Sequence, residues 1–218
     1  MSDGLDLGNT TGTVYLSDAQ TGTLLVLAHG AGAGQQHPFM VKTARGLAAR
    51  GVDVVTFDFP YMHAKKKVPD RAPVLEDCFR RVIAAVREWA PEFSRRLFIG
   101  GKSMGGRMAT HLAAQGVDGL HGALALGYPL HPPGKPDQLR TAHLPAIQTP
   151  VLIIQGERDA FGTPDELRPV LATMRVPARL HVVEGGDHSL TVRGRKADDV
   201  HADVMDVIAG WMLSPRVH

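Results

Sequence analysis

The sequence predicts an α/β fold over a single domain, residues 1–218, with a mainly parallel sheet and helices on both of its faces. Three observations carry this. Short apolar runs, among them Thr23-Leu24-Leu25-Val26-Leu27-Ala28 and Val151-Leu152-Ile153-Ile154, alternate along the chain with segments whose apolar residues recur at helical spacing. The apolar runs lack the polar alternation of a half-exposed strand, as strands covered on both faces require. Glycine-rich or polar turns follow these runs, at the strand ends where such sheets bind ligands.

The elements follow in order. Thr13-Val14-Tyr15-Leu16 and residues 23–28 read as strands, with the polar segment 18–22 between them as a hairpin-like turn. The second strand runs into His29-Gly30-Ala31-Gly32-Ala33-Gly34, which no regular element tolerates. Phe39, Met40, Ala44, Leu47 and Ala48 mark a helix stopped by Gly51, and 52–59 is the next strand, ended by Pro60. Residues 61–73 read as a long polar loop. Leu75, Cys78, Phe79, Val82, Ile83, Val86 and Trp89 then form the clearest amphipathic pattern in the chain.

Leu97-Phe98-Ile99 is a strand, and Met108 and Leu112 lie on the helix after it. Residues 122–126 form another strand, followed by the proline-dense Tyr128-Pro129-Leu130-His131-Pro132-Pro133-Gly134, which can be neither helix nor central strand. A strand at 151–154, a helix over 164–174, a strand at 180–183 and a closing helix through Val200, Val204, Val207, Ile208 and Trp211 complete the pattern.

Composition removes several classes of function. Hydrophobic residues make up 44% and charged residues 21%, which suits a globular chain rather than a disordered one. A formal net charge of +2 is too small to argue for nucleic acid, and His63-Ala64-Lys65-Lys66-Lys67 reads as a solvated loop. The single cysteine, Cys78, permits no intrachain disulfide and sits among core positions of a helix. Met1-Ser2-Asp3-Gly4 lacks the basic and apolar regions of a signal peptide, and no apolar run approaches bilayer-spanning length. A cytoplasmic protein with no nucleic-acid or membrane partner is expected. Scattered histidines and a lone helical cysteine offer no ligand cluster with zinc spacing, so no metal or organic cofactor is expected.

The chemistry centres on Gly101-Lys102-Ser103-Met104-Gly105-Gly106. A G-x-S-x-G between strand and helix reads as a nucleophile elbow, whose turn is too tight for flanking side chains and holds the Ser103 hydroxyl clear of the backbone. With 24 glycines in the chain, chance occurrence has to be weighed. The competing phosphate-loop reading fails because Arg96 stands where its first glycine belongs. A dinucleotide fingerprint at Gly30 to Gly34 fails likewise, at Gln35.

A serine hydroxyl needs an adjacent base, and the base an orienting carboxylate. Of eleven histidines, His188 is chosen because it lies in Glu184-Gly185-Gly186-Asp187-His188-Ser189, directly after the last strand. His29 opens the glycine loop and reads as a hydrogen-bonding prop for it. The acid is Asp159, in Gln155-Gly156-Glu157-Arg158-Asp159, with Glu157 as the competitor and Asp165 assigned to a helix N-terminus. Backbone N–H groups of Met104 and Ala31 are the expected oxyanion donors. Lys102 is expected to point away across the elbow.

His29-Gly30-Ala31-Gly32, Gly101 to Gly106, Gly156-Glu157-Arg158-Asp159 and Gly186-Asp187-His188 together resemble the α/β-hydrolase superfamily, over most of the chain. Phe59-Pro60-Tyr61-Met62, Gly127-Tyr128-Pro129-Leu130 and Gly101 to Arg107 are similar to a narrower group near the dienelactone-hydrolase-like proteins, which includes the hydrolase-like portion of a nuclear acetyltransferase-complex subunit. Dienelactone hydrolases carry cysteine at the elbow, whereas this chain has Ser103.

The resemblance implies a three-layer α/β-hydrolase fold, and the short segment between strands 122–126 and 151–154 leaves no room for a cap domain. An open pocket shaped by Tyr61, Met62, Tyr128 and Leu130 is expected. Two functions are compatible with these features. One is a serine hydrolase of carboxylic esters or thioesters, working through an acyl-enzyme on Ser103. The other is a binding or scaffold protein that keeps the fold without useful turnover. A complete triad and glycine loop favour the first. The oligomeric state stays open.

Overall fold

The computed structural model describes residues 4–6, 10–89, 91, 95–176 and 178–215. Met1 to Asp3, on which the signal-peptide reading rests, lie outside the described residues. In chain order the elements are β1 (Gly4–Asp6), β2 (Thr11–Tyr15), β3 (Thr23–Ala28), α1 (Pro38–Ala48), β4 (Asp53–Phe57), α2 (Pro60–His63), α3 (Ala72–Trp89), β5 (Arg96–Lys102), α4 (Met104–Ala114), β6 (Leu120–Leu126), β7 (Val151–Gly156), α5 (Pro164–Leu171), β8 (Ala178–Val183) and α6 (Ala197–Leu213). The strands form one eight-stranded sheet in the order β1-β2-β4-β3-β5-β6-β7-β8. β4 through β8 run parallel in that order, and β1 and β2 add an antiparallel edge.

The period of two in a strand explains why the central runs are apolar throughout. Leu24, Val26 and Ala28 of β3 face one core, with Ile99, Ala123, Ala125 and Ile153 beside them, under α3 and α4. Leu25 and Leu27 face the other, with Phe98, Leu124 and Leu152, under α1 and α6. Each of these central strands therefore serves two layers, and no residue in β3, β4 or β7 is left for solvent. Among the described residues, no helix is long and apolar enough to cross a membrane.

Three expectations are corrected. Segment 18–22 does not close a hairpin: both edges of β3 are taken, by β4 and β5, so β2 pairs antiparallel with β4 instead. The loop after β4 begins with the short helix α2, because Pro60 stands at its first position, where its fixed φ suits a helix, and Phe59 precedes it extended. Trp89 continues the periodicity of α3 but is 42% exposed. Periodicity identifies the buried face of a helix, not where the layer beneath it ends, and Val86 is its last buried residue.

The sheet order places the site. From β3 the chain steps to β4 on one side, then crosses to β5 on the other. The crevice at the carboxyl ends of β3 and β5 is thus the topological switch point. The glycine loop after β3 and the Ser103 turn after β5 meet there. The β6–β7 connection, residues 127–150, carries only a single 3₁₀ turn, Leu144–Ala146, so no cap domain covers the crevice.

Candidate active site

The Ser103 turn is held by backbone packing. Ser103 has φ 49° and ψ −112°, a conformation costly for a residue with a side chain, and stands immediately before α4. Its N–H donates to Leu126 O at 2.9 Å, and its own carbonyl accepts the Arg107 N–H at 3.0 Å. A Cβ on Gly105 would lie 2.5 Å from Ala28 O and 2.6 Å from His29 O, and one on Gly101 would lie 2.5 Å from Ala28 O. The first turn of α4 therefore sits directly on the end of β3. That contact aims the helix N-terminus and the Ser103 hydroxyl into the crevice.

Ser103 Oγ lies 2.9 Å from His188 Nε2, and His188 Nδ1 lies 2.7 Å from Asp159 Oδ2. A carboxylate only accepts, so the proton on this ring belongs on Nδ1, leaving Nε2 to accept from the hydroxyl. Asp159 is buried, 1% exposed. Its Oδ1 accepts the Phe161 N–H at 2.8 Å, and its Oδ2 also accepts from Gln155 Nε2 at 2.9 Å. The Gln155 amide is oriented in turn by the Tyr128 N–H, which donates to Oε1 at 2.7 Å. The Phe161 ring stacks on the imidazole at 4.1 Å between centroids and 29° between planes.

The other carboxylates near this chain of contacts have separate tasks. Glu157 accepts the Gly185 N–H at 2.7 Å, and Asp187 accepts the Ser189 and Thr191 N–H groups, shaping the loop that carries His188. Asp165 lies in the first turn of α5, while Thr163 and Glu166 make its capping box. His29 receives the Phe59 N–H on Nε2 at 2.9 Å and donates from Nδ1 to Gly30 O at 2.7 Å. Burial pulls its pKa below the usual histidine range, so the ring is a neutral brace between β4 and the glycine loop.

Lys102 departs from expectation. It lines the crevice, its ammonium donates to the main-chain oxygen of His188, and it lies 5.9 Å from the centre of the Phe39 ring. Burial brings its pKa down to about 8, with Asp159 and Asp187 opposing the fall. Gly127 makes this possible: it has φ 66°, and a Cβ there would meet Lys102 Nζ at 2.7 Å and His188 O at 3.0 Å.

Above Ser103 is an open cavity of about 800 Å³. Ala31 and Met104, whose N–H groups are the expected oxyanion donors, line it with Ser103 and His188. The Ala31 backbone is held by the Tyr61 hydroxyl, which donates to Ala31 O at 3.0 Å. The expected pocket residues are not in its lining. Tyr61, Tyr128 and Leu130 are at most 1% exposed within the core, and Met62 packs against that core. Their large apolar surfaces gain more from close packing than from an open crevice, and the two tyrosine hydroxyls bond main-chain oxygens. Phe39, Leu75, Phe161, Arg107 and Arg140 form walls in their place. Of the residues the sequence reading passed over, Gln155 had a visible signal, a polar amide closing an apolar strand. Arg107 had only its place at the end of the Gly101-to-Arg107 segment, and Arg140 had none. Among the described residues, no group of three or more His, Cys, Asp or Glu side chains could hold a metal ion.

A family model for the alpha/beta hydrolase domain matches residues 21–213. The chain belongs to the α/β-hydrolase family. This α/β-hydrolase is similar in structure to a Xanthomonas campestris protein described as an α/β serine hydrolase without a lid, with a TM-score of 0.77 at 21% identity over 99% of this chain and 95% of that one. A Thermus thermophilus protein matches with a TM-score of 0.75 at 22% identity, over 99% of both chains. Dienelactone hydrolase from Anabaena variabilis matches with a TM-score of 0.75 at 16% identity, over 98% of this chain and 96% of that one. At these identities the likeness carries the fold.

Proposed function

We propose that this α/β-hydrolase is a serine hydrolase that cleaves carboxylic esters or thioesters through an acyl-enzyme on Ser103. The observation that carries the reading is the continuous chain of contacts from Ser103 Oγ through His188 to buried Asp159, at 2.9 and 2.7 Å, on a strained turn facing an open cavity. The family and the lidless serine-hydrolase neighbour support the same reaction type.

In this reading Ser103 Oγ bonds to the substrate carbonyl carbon as its proton passes to His188 Nε2. The carbonyl oxygen becomes an oxyanion facing the N–H groups of Met104 and Ala31. Collapse breaks the ester C–O or thioester C–S bond, and Nε2 returns the proton to the departing alcohol or thiol. Water then repeats the sequence on the acyl-enzyme, releasing the acid and free Ser103. Asp159 keeps the Nδ1 proton in place and stabilises the imidazolium formed in each half. The ammonium of Lys102, engaged by the His188 carbonyl, holds the base loop rather than taking the serine proton.

The test is labelling with a fluorophosphonate probe alongside turnover of short-chain aryl esters. Ser103→Ala is expected to abolish both while leaving thermal unfolding nearly unchanged. Labelling that persists in the variant would move the nucleophile elsewhere.

A further inference from the structure

Arg107 stands on α4 one turn beyond Ser103, and Arg140 lies on the loop after β6; both line the cavity above Ser103. Among the described residues the Arg107 side chain has no hydrogen-bond or ion-pair partner, and its Nε is buried and unsatisfied. The carboxylate whose charge reaches it, Glu76, is committed elsewhere: Oε1 to His111 at 2.8 Å and Oε2 to Gln115 at 2.8 Å. The side chain of Arg140 makes one long hydrogen bond, 3.4 Å to Pro129 O, while its backbone is fixed by Leu130 O and the Tyr128 hydroxyl. Burial, and then the Arg140 charge, both work against the charged form of Arg107. Among the described residues, Asp70 is the only carboxylate in the wall, against three cationic side chains.

Two half-buried guanidinium groups whose charges oppose each other, with no anion hydrogen-bonded to either, are costly. They become favourable once a carboxylate satisfies their planar donors. We propose that Arg107 and Arg140 form a carboxylate-binding subsite beside Ser103, and that the ester or thioester taken by this pocket carries a free carboxylate. This rests on the serine-hydrolase reading. Both arginines are placed by rigid parts of the fold, a helix and a doubly tethered loop, so the subsite exists before substrate arrives.

The experiment compares kcat/KM for mono(4-nitrophenyl) adipate and 4-nitrophenyl hexanoate, which differ by a carboxylate on the acyl side. A second pair, 4-butyryloxybenzoate and phenyl butyrate, places it on the leaving side. The anionic ester should be favoured by about 10- to 100-fold in one of the two pairs, the range expected for hydrogen bonds to a charged group. Arg107→Gln and, separately, Arg140→Gln should each reduce that ratio at least about tenfold, as should 0.5 M salt in part. Equal or inverted preference in both pairs overturns the proposal, as does a preference that neither variant changes. Should Ser103 neither label nor turn over the neutral esters, the hydrolase reading falls by itself. Calorimetric binding of adipate, present in the parent and lost in Arg107→Gln, then decides the anion site; no binding to the parent overturns it.

Discussion

At Asp159 the hydrogen-bond directions are asymmetric in a way that only a carboxylate satisfies. Oδ1 accepts the Phe161 N–H, while Oδ2 accepts from both Gln155 Nε2 and His188 Nδ1. An asparagine that keeps its oxygen toward Phe161 turns its NH₂ toward two other donors. The conflict with His188 is relieved if its proton moves to Nε2, the tautomer that cannot accept from Ser103. Asp159→Asn is therefore expected to lower kcat by roughly 10³- to 10⁴-fold, the scale known for the equivalent change in a serine protease. Glu157→Gln keeps an oxygen for the Gly185 N–H and should change turnover less than about threefold. Steady-state kinetics with one aryl ester distinguishes the two. A crippled Glu157→Gln beside an active Asp159→Asn would reassign the acid.

Among the elements, α4 and α6 use glycine for opposite reasons. Gly105 in α4 has no room for a Cβ, because main-chain oxygens of Ala28 and His29 stand 2.5 and 2.6 Å from where it would be. Gly105→Ala should force the helix off β3, costing about 1–3 kcal/mol and disturbing the Ser103 turn. Gly210 in α6 is exposed and has no atom within 4 Å of that point. Gly210→Ala should raise stability by about 0.5–1 kcal/mol, because alanine loses less backbone freedom in a helix. Urea unfolding of the two variants gives both signs in one measurement. A Gly105→Ala protein as stable as its parent would contradict the packing described here.

For the whole molecule, two half-buried histidines set an acid limit. Burial, then the neighbouring His111 and Arg107, pushes His143 down to about 3, and burial, then Lys42 and Arg50, pushes His201 down to about 4. Both rings start from 6.5 and are depressed, so the unfolded chain binds more protons below that value. Their stability contribution is whole above about pH 6.5 and is lost as pH falls toward 4 and 3. Each site can add at most about 1.4 kcal/mol per pH unit to that loss. The melting temperature should fall between pH 7 and pH 4.5, and His201→Gln should fall less than the parent over the same interval. An identical pH dependence in parent and variant would remove His201 from the account.

Local chemistry made much of this legible in one dimension. The all-apolar runs of β3 and β7 required layers on both faces. Glycines around Ser103 required a tight turn, and the order of Ser103, Asp159 and His188 followed from strand ends that the alternating pattern had already located. These are signals of period, sterics and chain order, which a sequence carries directly. Tertiary structure decided what depends on competition for space and partners across the sheet. β2 paired with β4 because β3 had no free edge. Tyr61 and Tyr128 went into the core rather than the pocket, and Lys102 turned to the His188 carbonyl, 86 residues along the chain. Arg107 and Arg140 came to share one wall, 33 positions apart, on elements whose own patterns say nothing of each other. The sequence by itself determined which backbone could form and the order in which Ser103, Asp159 and His188 follow its strand ends, because those depend on local conformational energy and chain order. Which side chains line the cavity, and the charge it presents, were settled only when the layers closed.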